Sequence, residues 1–165
     1  MTSNLFERRA FLGLAGAAGA SLLLFGRSSS SAAGMKFAVN RAPAEWRRLL
    51  GDQRYHILRE AGTETAFTSP LLKEHRRGTF TCAGCGLPLF SSVTKFESGT
   101  GWPSFWRPLA RAVVERPDPH DRFAPRTEVL CARCGGHLGH VFDDGPRPTG
   151  LRYCMNGLAL RFRPA

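Results

Sequence analysis

The amino-acid sequence predicts an α+β domain in which two short helices lead into an antiparallel β core. Apolar residues between Pro43 and Ala61 recur at helical spacing, and Gly51-Asp52 interrupts them, so two helices are expected there. Beyond Gly78 the chain changes to short stretches rich in Thr, Val and Phe that glycines and prolines separate, a pattern typical of antiparallel strands. A length of 165 residues allows one such domain and leaves little room for a second.

The predicted elements follow from local sequence. Pro43 suits the first turn of a helix, because its missing N–H would be left unbonded at that position in any case. Residues 62–70 contain three threonines together with Ser69 and Pro70, which predicts a loop. The predicted strands are residues 78–81, 112–114, 128–130 and 158–162.

The first 33 residues have the layout of a signal peptide. Arg8 and Arg9 precede an apolar stretch, residues 11–25, which is shorter than the roughly 20 residues that a membrane-spanning helix needs. The arginine pair, with Phe11 and Leu12 behind it, resembles a twin-arginine export signal. We therefore expect the signal peptide to be cleaved near Ala33 and the protein to be exported to the periplasm, with no stable membrane span in the mature protein. The alternative is that an uncleaved signal tethers the protein to the membrane. Residues 34–42 are predicted to be a linker and residues 43–165 the functional domain.

Four of the five cysteines form two copies of one local pattern, Cys-x-x-Cys-Gly. The gap of two residues lets both sulfurs of a pair face one point, and tetrahedral Zn²⁺ requires four such ligands. We therefore expect one structural zinc ion bound by Cys82, Cys85, Cys131 and Cys134. Two disulfides or a redox-active pair are the alternatives, and the duplication of the pattern argues against both.

Cys154 is left without a partner, which indicates a working thiol, although a buried structural cysteine is the alternative. His137 and His140 follow the second cysteine pair, and four thiolates already close a structural zinc site, so proton transfer is the favoured role for these histidines. Trp102 lies in a segment rich in glycine and aromatic residues, 99–106, where it is expected to form the wall of an apolar pocket or to pack in the core.

Four segments resemble, in the same order, the signature blocks of the methionine sulfoxide reductase B family, the peptide-methionine (R)-S-oxide reductases. They are residues 82–90, 99–105, 131–142 and 152–162, and residues 58–71 resemble the family's N-terminal block. The resemblance implies two antiparallel β-sheets with short N-terminal helices and a structural zinc site with four cysteine ligands. It also implies thiol-dependent reduction of methionine-(R)-sulfoxide in oxidised proteins.

The resemblance assigns a role to each site residue by its position. Cys154 matches the nucleophile, which becomes a sulfenic acid, and Trp102 matches the residue that holds the S-methyl group of the substrate. The others match residues that transfer protons (His137 and His140), orient the site and its water (Arg152 and Asn156) or complete the substrate pocket (Phe142 and Asp144).

Two positions depart from the family pattern. Many members carry a second, recycling cysteine where this chain has Thr100, and Gly157 stands where a serine often follows the asparagine. We therefore expect an external small thiol or a thioredoxin-like protein to regenerate Cys154.

The competing hypothesis is an exported zinc-knuckle binding module without catalysis. A formal charge of +10 requires that nucleic acid be considered as its partner. Export would separate the protein from nucleic acid, and a binding module does not account for Cys154 together with Trp102 and the histidines. We therefore expect no nucleic-acid partner.

Overall fold

The first element is helix α1, Pro43–Glu60, in the computed structural model, which describes residues 35–119 and 125–165. Gly51 has φ 70° and ψ 167°, which breaks the helical geometry and confirms the two predicted short helices. The helix buries Trp46, Ile57 and Leu58. No helix within the described ranges is long and apolar enough to cross a membrane. The predicted signal peptide, residues 1–33, lies outside them.

The described residues form two antiparallel sheets, which confirms the predicted fold class. The strands are β1 (Gly78–Cys82), β2 (Pro88–Ser91), β3 (Lys95–Phe96), β4 (Ser104–Phe105), β5 (Val113–Pro117), β6 (Thr127–Cys131), β7 (His137–Phe142), β8 (Arg152–Met155) and β9 (Leu160–Pro164). One sheet has the order β2-β1-β9 and the other β3-β4-β8-β7-β6-β5. Strand β8 therefore lies inside the larger sheet, between β4 and β7.

Aromatic side chains from both sheets form the centre of the core. The rings of Phe90 on β2 and Phe105 on β4 stack at 4.3 Å, and Phe80 on β1 meets Phe105 edge-on at 4.9 Å. All three side chains are fully buried. Such ring pairs add about 0.5–1.5 kcal/mol each beyond the burial of apolar area, so they help to hold the two sheets together.

One predicted strand begins later than expected. Residues 158–162 were predicted as a strand, but Gly157–Ala159 form a 3₁₀ turn and β9 begins at Leu160. The cause is tertiary, because the buried Glu64 carboxylate accepts hydrogen bonds from the N–H groups of Gly157 and Leu158, at 2.7 Å each. These two groups cap the turn and are not available to a sheet.

The segment before α1, predicted to be a linker, contacts the rest of the domain over its described residues. The Val39 N–H donates to the Arg133 carbonyl at 2.9 Å, and the Phe37 ring lies so close to Gly135 that a β-carbon there would come within 2.5 Å of it. This segment therefore covers the turn that holds the second cysteine pair.

Candidate active site and metal centre

The four paired cysteines meet at one point between the two sheets. Cys82 is the last residue of β1 and Cys131 is the last residue of β6. The sulfur atoms of these two residues and of Cys85 and Cys134 all lie within 4.8 Å of one another. The Sγ atoms of Cys82 and Cys134 are 3.7 Å apart, and those of Cys85 and Cys131 are 3.5 Å apart. Sulfurs bound tetrahedrally at about 2.3 Å from a central ion lie about 3.8 Å apart, so the cluster fits a single metal ion. A disulfide would require about 2.05 Å.

The backbone around the cysteines suits such an ion. Gly86 and Gly135 have φ values of 72° and 66°, which favour glycine, and their N–H groups donate to the carbonyls of Cys82 and Cys131 at 2.8 Å each. The contact with Cys131 and the other sulfurs, together with burial, raises the pKa of Cys82. Four thiolates within 4.8 Å of one another repel, and a cation at their centre offsets that repulsion.

Cys154 lies apart from this cluster, on β8, beside a small cavity of about 100 Å³. In the sheet it pairs with Ser104 of β4 and with His140 of β7. Its Sγ atom lies 3.7 Å from the Thr100 hydroxyl. Five of the eight predicted site residues line the cavity: Trp102, His140, Phe142, Cys154 and Asn156.

Gly139 lets β7 and β8 approach closely at this cavity. Its φ is 155°, and a β-carbon at this position would come within 2.1 Å of the Cys154 carbonyl oxygen. Only glycine fits there, and its neighbour in sequence, His140, is thereby held directly opposite Cys154.

The two histidines are held by carboxylates that the sequence analysis did not identify. The His140 Nε2 atom lies 2.8 Å from Asp118 Oδ2, while burial, which outweighs this carboxylate, lowers the pKa of His140. The His137 Nδ1 atom lies 2.7 Å from Glu128 Oε1, and its Nε2 atom is buried with no hydrogen-bond partner among the described residues. The two imidazole rings lie 5.4 Å apart, so His137 contacts the cavity through His140.

Arg152 and Asp144 form a pair beside the cavity and do not line it. The Arg152 Nε and Nη2 atoms donate to the two carboxylate oxygens of Asp144 at 2.7 and 2.8 Å, and the guanidinium carbon lies 4.3 Å from the centre of the Phe142 ring. The Asp144 contact raises the pKa of Arg152, and the charge of the nearby Cys154 acts in the same direction. The guanidinium is thus fixed within electrostatic reach of the thiol.

Trp102 and Asn156 are both anchored to main-chain groups. The Trp102 Nε1–H donates to the Glu64 carbonyl at 3.1 Å, which fixes the polar edge of an indole ring that lines the cavity. Asn156 Oδ1 accepts from the Glu64 N–H at 2.9 Å, and Nδ2 donates to the Leu138 carbonyl at 3.2 Å. Both ends of the Asn156 amide therefore bind protein, so this residue joins β7 to the loop that contains Glu64.

Glu64 is a further residue that the sequence analysis missed. Through its main chain it binds Trp102 and Asn156, and its carboxylate caps the turn that follows Cys154. The signals available in the sequence were weak: Glu64 lies in a block of the family resemblance, and Glu128 is a lone charge in a strand of apolar residues. Asp118 carries no such signal.

A single thiol in a small cavity, beside an imidazole and a fixed guanidinium and apart from a four-cysteine metal site, defines a thiol-dependent enzyme.

Residues 50–164 match the model of the SelR domain. Proteins named "Peptide methionine sulfoxide reductase MsrB" are similar to most of the chain. The one from Leptospira interrogans is 53% identical over 129 residues, 78% of this chain and 98% of the relative.

The relative from Thiobacillus denitrificans is 56% identical over 125 residues, 75% of this chain and 94% of its own length. The relative from Methanosarcina barkeri is 50% identical over 126 residues, 76% of this chain and 89% of its own length. The chain therefore belongs to the MsrB family of peptide methionine sulfoxide reductases.

The buried Glu128 carboxylate, which Arg116 and His137 both contact, leads to a stability prediction. Burial alone would raise the pKa of Glu128, but hydrogen bonds from His137 and Arg116 outweigh it and lower the pKa below the ordinary 4.5. The charged Glu128 carboxylate therefore stabilises the fold above about pH 4.5, and that contribution is lost as the pH falls through the lower, folded-state pKa. Glu128→Gln should reduce the free energy of unfolding by about 2 kcal/mol at pH 7.

Urea unfolding of both proteins between pH 3 and pH 7 measures this effect. The difference between wild type and Glu128→Gln should shrink below about pH 4.5. Glu97→Gln is the control, because the Glu97 side chain is 64% exposed, and it should change stability by no more than about 0.5 kcal/mol. If the difference in unfolding free energy between wild type and Glu128→Gln stays constant over this pH range, the role assigned to the charged Glu128 carboxylate is wrong.

Proposed function

We propose that this protein reduces methionine-(R)-sulfoxide in oxidised proteins to methionine, with Cys154 as the nucleophile. The observation that carries the proposal is the Cys154 thiol, which lies outside the metal cluster in a cavity that Trp102 and His140 also line. The names of the relatives support the reaction. The competing hypothesis, a binding module without catalysis, leaves this cavity without a role.

The side chains around the cavity suit the two halves of a sulfoxide. Its methyl and methylene groups are apolar and suit the faces of Trp102 and Phe142, whereas its oxygen is a strong acceptor and suits the imidazole of His140. The Cys154 thiolate attacks the electrophilic sulfur while an acid protonates the oxygen. Two electrons pass from the thiol sulfur to the sulfoxide sulfur and the oxygen ends on Cys154, so the products are methionine and a Cys154 sulfenic acid.

The surrounding groups hold this arrangement in place. Arg152 places a positive charge near the attacking thiolate, and its two hydrogen bonds to Asp144 hold the guanidinium in this position. Glu128 holds the His137 ring, which in turn packs against His140. Asp118 holds the His140 Nε2 atom. We assign His140 the direct contact with the sulfoxide oxygen, made by the Nδ1–H of the protonated ring because Asp118 holds Nε2, and we assign His137 a supporting role.

Regeneration of Cys154 needs two external thiol groups. The other four cysteines belong to the metal cluster and the neighbour of Cys154 is Thr100, whose hydroxyl cannot form a disulfide. One thiol condenses with the sulfenic acid, which releases water and leaves a mixed disulfide, and the second thiol releases Cys154 as it forms a disulfide with the first. The second thiol comes from the same thioredoxin-like protein or from a second small thiol.

The reaction itself is tested with the two epimers of a blocked methionine sulfoxide, supplied separately with dithiothreitol. We expect methionine from the R epimer alone. Cys154→Ser should lower the rate at least about a thousandfold, since a hydroxyl is a far weaker nucleophile than a thiolate. Reduction of the S epimer at the same rate, or a fully active Cys154→Ser variant, would contradict the proposal.

A cysteine at position 100 should convert the enzyme to internal disulfide chemistry. Because the Thr100 oxygen is already 3.7 Å from the Cys154 sulfur, Thr100→Cys needs only a small shift to form a bond of about 2.05 Å. This variant should gain activity with thioredoxin relative to dithiothreitol, and mass spectrometry should find the new disulfide to Cys154 as a loss of two hydrogens. Val93→Cys, at a side chain 71% exposed, adds a thiol elsewhere and should show neither effect.

We propose zinc as the metal of the four-cysteine site, with a structural role, because four thiolates leave no coordination position for substrate. Such a site supplies about 10–16 kcal/mol of apparent binding energy, which matches or exceeds the roughly 5–15 kcal/mol net stability of a domain. Elemental analysis should find about one zinc per chain. Cys131→Ser should lose both metal and fold, whereas Cys154→Ser should lose neither. A metal-free protein with an unchanged melting temperature would contradict the structural role.

We also propose export to the periplasm by the twin-arginine route, with cleavage near Ala33. Support comes from Arg8, Arg9 and the short apolar stretch behind them. Arg8→Lys with Arg9→Lys keeps the charge and removes the pattern, so cell fractionation should find the protein retained inside. Arg27→Lys is the matched control and should leave export unchanged. Undiminished export of the double variant would contradict the route, and a membrane-bound chain that keeps residues 1–33 would support the tethered alternative.

A further inference from the structure

A second and larger cavity, of about 880 Å³, adjoins the Cys154 cavity. We call it the arginine groove. Its walls come from the second half of α1, the loop of residues 62–70, the turn after Cys154 and strand β9. Thr63 lines both the arginine groove and the Cys154 cavity, so this residue borders the two spaces. The groove is large enough for several residues of a polypeptide, whereas the Cys154 cavity holds one side chain.

Two arginines with no counterion line this groove. Arg54 projects from α1 and Arg161 from β9, and neither side chain makes an ion pair or hydrogen bond with any residue in the described part of the chain. They lie close enough to repel each other. Partial burial, followed by the charge of Arg161, lowers the pKa of Arg54. Arg54 is half-buried and Arg161 is exposed, and an anion in the groove that reaches both guanidinium groups is stabilised by each of them.

The acidic side chains of the groove do not neutralise these two arginines. Glu64 is buried and accepts hydrogen bonds from two main-chain N–H groups. Glu74 is held by Arg76, whose Nε and Nη2 atoms donate to its two oxygens at 3.0 and 2.6 Å. The contact with Arg76 lowers the pKa of Glu74 to about 2, so this pair is satisfied within itself. The positive charges of Arg54 and Arg161 are therefore not balanced by either acidic side chain of the groove.

We propose that the arginine groove binds an acidic side chain of the polypeptide that carries the methionine sulfoxide. This inference rests on the proposed function and adds a substrate class to it. In this proposal, a polypeptide whose sulfoxide lies at Cys154 passes Thr63, which borders both cavities, and enters the groove. We place the acidic residue within a few positions of the oxidised methionine, since an extended chain advances about 3.3 Å per residue. Its carboxylate then forms charge-assisted hydrogen bonds with Arg54 and Arg161.

The experiment compares peptides that differ only in charge. Blocked heptapeptides with a central methionine-(R)-sulfoxide carry two Asp, two Asn or two Lys residues at matched positions on either side, and the blocked amino acid alone is the reference substrate. The values of kcat/KM are measured for wild type and for Arg54→Gln with Arg161→Gln. Arg48→Gln is the matched control, because Arg48 is an exposed arginine of the same helix that does not line the groove.

Wild type should prefer the Asp peptide over the Asn peptide by about three- to tenfold in kcat/KM, through KM, and 0.5 M salt should reduce this preference. The double variant should lose the preference while reducing the blocked amino acid at the wild-type rate, and Arg48→Gln should keep it. Arg54→Glu should shift the preference towards the Lys peptide, a result that general instability does not produce.

A double variant that keeps the preference for the Asp peptide, or a wild type without one, would overturn the proposed groove while the reduction of the blocked amino acid stands. Absence of any reduction of the blocked amino acid by wild type would instead overturn the proposed function, and this inference with it.

Discussion

The antiparallel pairing of β7 with β8 is the constraint on which the rest of the site depends. It sets His140 directly opposite Cys154, and Gly139 allows the two backbones to approach closely at that point. A shift of one residue would turn His140 to the other face of the sheet and leave the thiol without an imidazole. Because β8 also pairs with β4 on its other side, neither strand is free to slide. The register of a central strand thus fixes the position of the proposed nucleophile relative to His140.

Polar groups hold the elements around this pair in position. The Glu64 carboxylate caps the turn after Cys154, and the main chain of Glu64 anchors Trp102 and Asn156, so one loop residue connects three parts of the site. The cysteine cluster joins the two sheets, because Cys82 lies at the end of β1 in one sheet and Cys131 at the end of β6 in the other. Burying a carboxylate such as that of Glu64 costs free energy unless its oxygens are hydrogen-bonded. Each of the two Glu64 carboxylate oxygens accepts a hydrogen bond from a main-chain N–H. The site therefore depends on interactions that are not themselves reactive.

Features that depend on a few neighbouring residues could be predicted from the sequence. The cysteine cluster follows from two short patterns, and the break at Gly51 from one residue in a helical stretch. Tertiary hydrogen bonds are invisible in one sequence. For this reason the capping of residues 157–159 by Glu64 was missed, and a strand was predicted there. Asp118 was missed as well, since it lies 22 positions from His140 and only the fold brings them together.

A single turnover without added thiol tests the role of Cys154 most directly. The protein is mixed with excess methionine-(R)-sulfoxide and dimedone, and methionine is counted while mass spectrometry locates the oxidised sulfur. The account predicts at most about one methionine per chain, with the dimedone adduct on Cys154 and the four paired cysteines unchanged. A disulfide between Cys154 and Cys82, Cys85, Cys131 or Cys134, or turnover with Cys154 unmodified, would contradict it, because a metal ligand or another group would then perform the chemistry assigned to this thiol.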